Sequence, residues 1–297
     1  MQAWMQALRI HQWSKNALIF VPLLTSYQYT QTSQLILVLA GFLSFSLLAS
    51  STYIINDIID LTTDRQHEFK RNRPFANQSL SIRQGVLVAV ALILMALTLA
   101  VNLSLNFAIC ECIYLLLTLA YSFIFKRWIY VETLVLAFLY TLRIIAGGYL
   151  INVDISPWLL VFSIFVFSSL ACMKRCIELK MLDPSCATQL VDRGYHISDL
   201  KFLLSYGIIC SCAAIMTLLL YINNPEVIAQ YYRPQLLWPL TALISAWILF
   251  IWFKALRAEV GYDPVIFAIK DKISLISIIL MIALLLLSHS NDYSFLP

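Results

Sequence analysis

Nine apolar runs, each near the length a helix needs to cross a lipid bilayer, divide this chain of 297 residues; roughly 20 predominantly apolar residues suffice for one crossing. They run from Trp13 to Tyr29, Leu35 to Ile55, Val86 to Leu103, Phe107 to Phe125, Thr133 to Ile151, Trp158 to Met173, Phe202 to Ile222, Leu236 to Phe253 and Ile273 to Leu287. With 12% charged residues and 61% hydrophobic ones, the composition excludes a soluble globular domain, whose charged share is nearer about 25%. The expected fold is all-α: a polytopic membrane helical bundle of about nine spans, forming one domain over residues 1–297. The first run is short and contains Pro22. Ahead of it, Arg9, His11 and Lys15 sit among apolar residues without a small-residue cleavage site, which predicts an interfacial helix and not a signal peptide.

Placing the N-terminus in the cytoplasm and alternating the runs across a membrane puts almost every Lys and Arg on one face. The exceptions are Arg143, inside a run, and Arg233. This positive-inside pattern supports an odd number of spans and sends the C-terminal SHSNDYSFLP outside. The opposite connections carry only Asp154, Glu226 and Arg233 as charges. The inner face has four polar connections: Asn56 to Arg83, Lys126 to Glu132, Lys174 to Lys201, and Lys254 to Lys272. Phosphate chemistry is therefore expected on the cytoplasmic side of the inner (plasma) membrane. A net charge of +4 suits anionic lipid and phosphorylated substrates and is too small to imply nucleic acid. The seven cysteines are scattered, mostly in apolar runs and never as CxxC, and read as small packing residues.

The densest polar chemistry is NDIIDLTTDRQHEFKRNRP, Asn56 to Pro74. Asp57, Asp60 and Asp64 are spaced i, i+3, i+7, so a continuing helix lines them up on one face with Asn56. Three unpaired carboxylates there repel one another unless a divalent cation lies between them. Mg²⁺ suits the place, since it takes one or two carboxylates plus phosphate oxygens and keeps its remaining waters. Arg65, Lys70, Arg71 and Arg73 follow and suit the phosphates. The bland alternative is a solvated, mixed-charge loop. His67, alone beside the acidic stretch, is weak evidence for a transition metal.

In YSFIFKRWIYVE, Lys126 and Arg127 end one helix and Glu132 opens the next; a helix C-terminus favours such cations in any case. Arg143 is in TLRIIAGGYL, where a charged side chain costs about 2.5 to 3.5 kcal/mol on insertion scales. It needs a partner, for which Glu111 is the candidate, or a watery cavity. Lys174 and Glu178 have the spacing of a helical ion pair. Gly194, Asp199 and Asp263 read as turn or cap signals. Lys15 and Asn16 are expected at the inner membrane edge, where snorkelling alone explains Lys15 and a phosphate contact is the alternative.

NDIIDLTTDR resembles the NDxxDxxxD signature of the UbiA superfamily of intramembrane prenyltransferases, and the resemblance runs through nearly the whole chain. LRIHQWSKNALIFVPLL, the KRCIEL run and DPVIFAIKD resemble the branch containing decaprenyl-phosphate phosphoribosyltransferase. That resemblance implies a nine-span bundle with a cavity open to lipid, Mg²⁺ as cofactor, phosphoribosyl diphosphate as donor and a membrane-embedded polyprenyl phosphate as acceptor. Asn56, Asp57, Asp60 and Asp64 are then implied to hold metal and diphosphate, the three aspartates being catalytic. Arg65, Lys70 and Arg73 become phosphate contacts, and Lys15, Tyr121, Lys126 and Lys174 further substrate contacts. The chain departs from the pattern at Glu68, where a proline is common, and in having only Glu132 between Tyr121 and Ala137. Aromatic prenyltransferases usually carry a second carboxylate pair there, so the departure favours the phosphoribosyl branch.

Two alternatives stay open. One keeps the fold and moves a prenyl group from its diphosphate to an aromatic or other small acceptor. The other is a cation-coupled transporter or lipid-binding protein, against which the lack of an evident inverted repeat or of broken Gly/Pro helices counts. Whether the chain forms a homo-oligomer is left undecided by the sequence.

Overall fold

Every regular element among the described residues is helical. The computed structural model describes residues 2–66, 70–182, 193–257, 259–261 and 263–289; His67, Glu68, Cys186 and most of the C-terminal SHSNDYSFLP lie outside them. Among the described residues, eight helices are long and apolar enough to cross a membrane. The chain falls into two compact units, Met1–Ile155 with Val191–Gly194 and Ser156–Leu190 with Tyr195–Pro297.

The first unit opens with α1 (Gln2–Leu8), a 3-10 helix over Ile10–Phe20 and α2 (Val21–Thr25). It continues with α3 (Thr32–Ile59), α4 (Leu61–Gln66), α5 (Ile82–Leu103), α6 (Leu105–Phe123) and α7 (Ile129–Ile151). α3 is the axis. Its 28 residues rise about 42 Å, more than the hydrocarbon thickness of about 30 Å, and its last turn carries Asn56 and Asp57. Small polar residues line the buried side of α3: Ser44, Ser46, Ser50, Ser51 and Thr52. They let neighbouring backbones approach closely, as small residues do between helices in lipid. Ser44 donates to the Ala96 carbonyl of α5 at 2.9 Å.

The apolar run expected as the first span is not one continuous α-helix. It enters at Arg9 with left-handed backbone (φ 50°, ψ 47°) and passes into α2, where Pro22 occupies the first turn. Eleven residues of 3-10 helix at about 2.0 Å each and the turns of α2 at about 1.5 Å each reach about 30 Å, close to one bilayer core. Such a long 3-10 run is uncommon, and tertiary contacts hold it. Trp13 Nε1 donates to Ser50 Oγ (2.9 Å), Ser50 donates to the Leu8 carbonyl (2.8 Å), and Asn16 Nδ2 donates to Ser46 Oγ (3.0 Å). On the other side the run presses on α7 at Gly147, where any Cβ would stand 2.2 Å from the Ile19 carbonyl oxygen.

The second unit holds α8 (Pro157–Lys180), α9 (Leu200–Ile222), α10 (Pro225–Ile228), α11 (Leu237–Leu256), α12 (Pro264–Lys270) and α13 (Lys272–His289). Its core gathers Met173, Ile177, Ile248, Ile251 and Trp252. The indole of Trp252 donates to Ser169 and Ser211, each at 3.0 Å. The cap readings hold: Asp263 accepts from the Val265 amide (3.1 Å) and Asp199 from the His196 amide (2.8 Å). Glu178 pairs with Arg175, one residue nearer, while Lys174 faces Asp263 at 3.7 Å. Cys110, Cys172, Cys176 and Cys210 are buried free thiols, and Cys112 and Cys212 are exposed.

Candidate active site at an acidic helix end

Asn56 and Asp57 lie in the last turn of α3, Asp60 ends it, and Asp64 is in α4. The Asp60 amide donates to the Asn56 carbonyl (2.9 Å) and the Asp64 amide to the Asp60 carbonyl (2.8 Å), so the helical repeat passes the junction almost unbroken. Asp57 and Asp64, two turns apart, therefore share a face. Both are 2% exposed.

The carboxylates are not left to repel one another. Arg73 Nη1 donates to Asp57 Oδ1 at 3.1 Å and to Asp64 Oδ2 at 2.6 Å. Arg9 Nη2 donates to the same Asp57 oxygen at 2.5 Å. Lys126 Nζ lies 2.5 Å from Asp60 Oδ1, and Asn56 Nδ2 donates to Asp60 Oδ2 at 3.0 Å. Three acids thus face three bases. Each base has a local reason for its place. Arg73 leaves a short 3-10 turn, Lys70–Asn72, and the next residues are anchored by buried Phe75, which packs on Gly85 so closely that a Cβ there would stand 2.5 Å from its ring. Lys126 sits in the 3-10 turn Phe125–Arg127 between α6 and α7. Arg9 starts the long 3-10 run with its guanidinium 5.0 Å from the Tyr53 ring centroid.

A second cluster lies in the same unit. Glu132, fully buried, accepts from Tyr121 Oη at 2.8 Å and from Arg193 Nη1 at 3.2 Å, and Arg193 also donates to Tyr121 Oη at 3.3 Å. Arg143 is buried too, but Glu111 is not its partner. Its Nε donates to Asn16 Oδ1 (2.9 Å), Nη1 to the Leu139 carbonyl (2.5 Å) and Nη2 to Tyr114 Oη (3.1 Å). Phe45, Tyr114 and Tyr140 surround it with ring faces at 5.3, 4.8 and 5.4 Å.

The structure therefore brings Asn56, Asp57, Asp60, Asp64, Arg73 and Lys126 together and adds Arg9. Arg65 instead spends its Nε on the Ala76 carbonyl (3.3 Å) and is exposed, and Lys70 is half-buried. Tyr121 joins the Glu132 cluster. Lys174 belongs to the second unit. Lys15 and Asn16 are buried, and Asn16 bonds Ser46, which the rise of α3 sets about 16 Å from Asp57. Arg9 lies in the LRIHQWSKNALIFVPLL run that carries the resemblance, but nothing local links it to Asp57, 48 residues on.

Among the described residues no three His, Cys, Asp or Glu side chains converge to hold a metal ion by themselves. The donor set nonetheless fits Mg²⁺, which needs only one or two carboxylates beside phosphate and water oxygens. Asp57 and Asp64 already converge on one positive group, the Arg73 nitrogen between them.

A sequence model of the UbiA prenyltransferase family matches residues 17–259. The chain belongs to that family. The match runs through both units and begins after Arg9 and Lys15. The chain is 32% identical to the nodulation protein NoeC of Azorhizobium caulinodans over 291 residues, covering 97% of this chain and 94% of that protein. It is 38% identical over 272 residues to the uncharacterized protein y4nM of Sinorhizobium fredii, covering 91% of this chain and 53% of that protein. Decaprenyl-phosphate phosphoribosyltransferase of Mycobacterium tuberculosis is 34% identical over 186 residues, or 61% of this chain and 62% of that protein. The chain thus spans about half of the Sinorhizobium protein and under two thirds of the mycobacterial one. A solved UbiA homolog from Archaeoglobus fulgidus bound to GPP and Mg²⁺ shares the fold with a TM-score of 0.71 at 15% identity, covering 96% of this chain and 99% of that one. This UbiA-family member is a multi-pass membrane protein of a transferase family.

Proposed function

We propose that the protein transfers a 5-phosphoribosyl group from phosphoribosyl diphosphate to a polyprenyl phosphate, with Mg²⁺, releasing diphosphate. The observation that carries this reading is that, among the described residues, one acidic face is gathered with its own cations, while Glu132, the carboxylate of the second polar segment, is held by Tyr121 and Arg193. This supports one metal–diphosphate site over two built alike. The likeness to decaprenyl-phosphate phosphoribosyltransferase supports the choice of donor.

On this reading Asp57, Asp60 and Asp64 hold the Mg²⁺, which when bound withdraws negative charge from the leaving diphosphate. Asn56 orients Asp60. Arg73 and Lys126 turn hydrogen bonds toward the diphosphate oxygens, where charge grows as the bond from the ribose anomeric carbon breaks. The acceptor's phosphate oxygen attacks that carbon from the opposite side, and the bonding electron pair leaves with diphosphate. The acceptor oxygen is already anionic near neutral pH, so no side chain has to act as a base. Placement is what the protein supplies. Lys15, Arg65, Lys70, Tyr121 and Lys174 are assigned to substrate on the resemblance alone. The segregation of Lys and Arg supports a cytoplasmic N-terminus and a site on the cytoplasmic face of the plasma membrane. We also propose that residues 1–297 work as one transmembrane domain, which the family match across both units supports.

The second reading, prenyl transfer from a prenyl diphosphate to a small acceptor, is favoured by the family's description. Detergent-purified protein given radiolabelled phosphoribosyl diphosphate, Mg²⁺ and a polyprenyl phosphate separates the two. A labelled lipid made by the wild type and not by Asp60→Asn supports phosphoribosyl transfer. Consumption of a prenyl diphosphate without any labelled lipid overturns it.

A further inference from the structure

Lys126 reaches Asp60 from a turn that does little to hold itself. The 3-10 turn Phe125–Arg127 joins the end of α6 at Phe123 to the start of α7 at Ile129, and neither Ile124 before it nor Trp128 after it gives a side-chain cap. Within it the Arg127 amide donates to the Ile124 carbonyl at 3.3 Å and the Trp128 amide to the Phe125 carbonyl at 3.0 Å. Firmer restraint comes from outside the turn. Tyr121, ahead of Lys126 in α6, donates to Glu132, beyond it in α7, at 2.8 Å, which ties the two helix ends across the turn. One nitrogen of Arg193, Nη1, donates to both, at 3.3 Å to Tyr121 Oη and 3.2 Å to Glu132 Oε1. The next residue, Gly194, lies against the turn itself: a Cβ there would stand 2.8 Å from the Arg127 carbonyl oxygen.

We propose that Arg193 is a positioning residue: it clamps Tyr121 and Glu132 together while Gly194 backs the turn, and so sets Lys126 where its ammonium meets Asp60. The inference rests on the reading of Lys126 as a diphosphate contact. Arg193 acts through the two helix ends and not on the reacting atoms. Glu132 is fully buried, and an acid out of water is costly to leave without its cation, so the clamp holds as long as Arg193 is present. A guanidinium suits the place better than an ammonium, since its planar fork is pre-organised to serve more than one acceptor. Lys126 is only 8% exposed and its Nζ is 2.5 Å from Asp60, so a small drift of the turn breaks the contact. A misplacement of about 1 Å at a reacting centre costs about 10²-fold in rate.

The test is acylation of the lysines of the detergent-purified full chain by acetic anhydride, read by mass spectrometry, with Lys15, equally buried at 8%, as the internal reference. Arg193→Gln is expected to raise the rate of acylation at Lys126 about tenfold and to leave Lys15 unchanged, a coupling within the range found for neighbours in one ion-pair network. Gly194→Ala keeps every side chain of the clamp and presses a methyl group on the Arg127 carbonyl, and it should free Lys126 as well. Arg193→Lys, a point charge without the planar fork, should fall between wild type and Arg193→Gln and serves as the test if Arg193→Gln does not fold. The positioning role is overturned if Lys126 stays as protected as in the wild type in both Arg193 variants, or if Lys15 is freed along with it, which marks a general loosening. In turnover, Arg193→Gln should lower kcat about 10²-fold with KM for phosphoribosyl diphosphate unchanged, and should cost little more when added to Lys126→Met; full additivity with Lys126→Met also overturns the role. A freed Lys126 with undiminished turnover upholds the positioning and overturns the reading of Lys126 as a diphosphate contact, so the two failures are told apart.

Discussion

Lys126 and Asp60 are 66 residues apart in sequence and 2.5 Å apart in space. The contact ties the turn between α6 and α7 to the end of α3, and both partners are more than four-fifths covered. Replacing Lys126 by Met leaves Asp60 without its charge partner and, on the proposed function, removes a cation from the diphosphate. Turnover is expected to fall about 10²- to 10³-fold, the size of one lost electrostatic donor in a transition state. Lys126→Arg, with the charge kept and the geometry changed, should recover part of it. Initial rates of diphosphate release from reconstituted protein measure both.

Asp57→Asn and Asp64→Asn are predicted to abolish turnover while the protein remains folded. Each keeps the volume of the side chain and removes the charge that Arg73 uses and that the proposed metal would need. The loss should exceed that of Lys126→Met. Chelation of divalent cations should silence the wild type and be reversed by adding Mg²⁺. Diphosphate release, beside gel-filtration profiles of the variants, checks the prediction; an active Asp57→Asn or Asp64→Asn protein would remove the acidic face from the chemistry.

What could be read in advance follows from the range of the interaction that fixes each feature. The apolar runs and the i, i+3, i+7 acids depend on local periodicity, so the helices and the Asp57–Asp64 face were legible. Arg73 and Asn56, near the acids in sequence, were legible for the same reason. Arg9 was not: its pairing with Asp57 depends on a left-handed residue and a 3-10 run held by serines of α3, none of which hydropathy encodes. That run also sets Asn16 against Ser46 of α3, a contact that a count of apolar residues does not give. Glu111 looked a sound partner for Arg143 by burial and charge, but the Asn16 carbonyl and Tyr114 hydroxyl reach the guanidinium instead.

Glu132 and Arg193 should show strong coupling in a double-mutant cycle. Glu132 is fully buried and Arg193 is 23% exposed, so Arg193→Ala leaves an acid inside the protein without its cation. Breaking such a pair costs about 3 to 5 kcal/mol. Removing both charges, as Arg193→Ala with Glu132→Gln, should be less damaging than Arg193→Ala alone because no uncompensated charge is left behind. Thermal unfolding of the three variants in one detergent gives the cycle. Additive effects would mean that Tyr121 satisfies Glu132 unaided.

The Arg143 hub makes a prediction about stability that activity alone would miss. Its guanidinium joins the 3-10 run through Asn16, α6 through Tyr114 and its own helix through the Leu139 carbonyl, and Asn16 passes the link to Ser46 of α3. Asn16→Ala removes the acceptor from Arg143 Nε and the donor from Ser46 in one step. Each buried polar group left unpaired costs about 1 to 3 kcal/mol, so this variant should lower the unfolding midpoint by several degrees. Asn16→Asp keeps an acceptor for Arg143 and adds the carboxylate that the guanidinium lacks, at the expense of the bond to Ser46. If the hub is limited by acceptor loss, Asn16→Asp retains more stability than Asn16→Ala; equal losses would show that the Ser46 contact, which both variants lose, and not Arg143, is what anchors the run to α3.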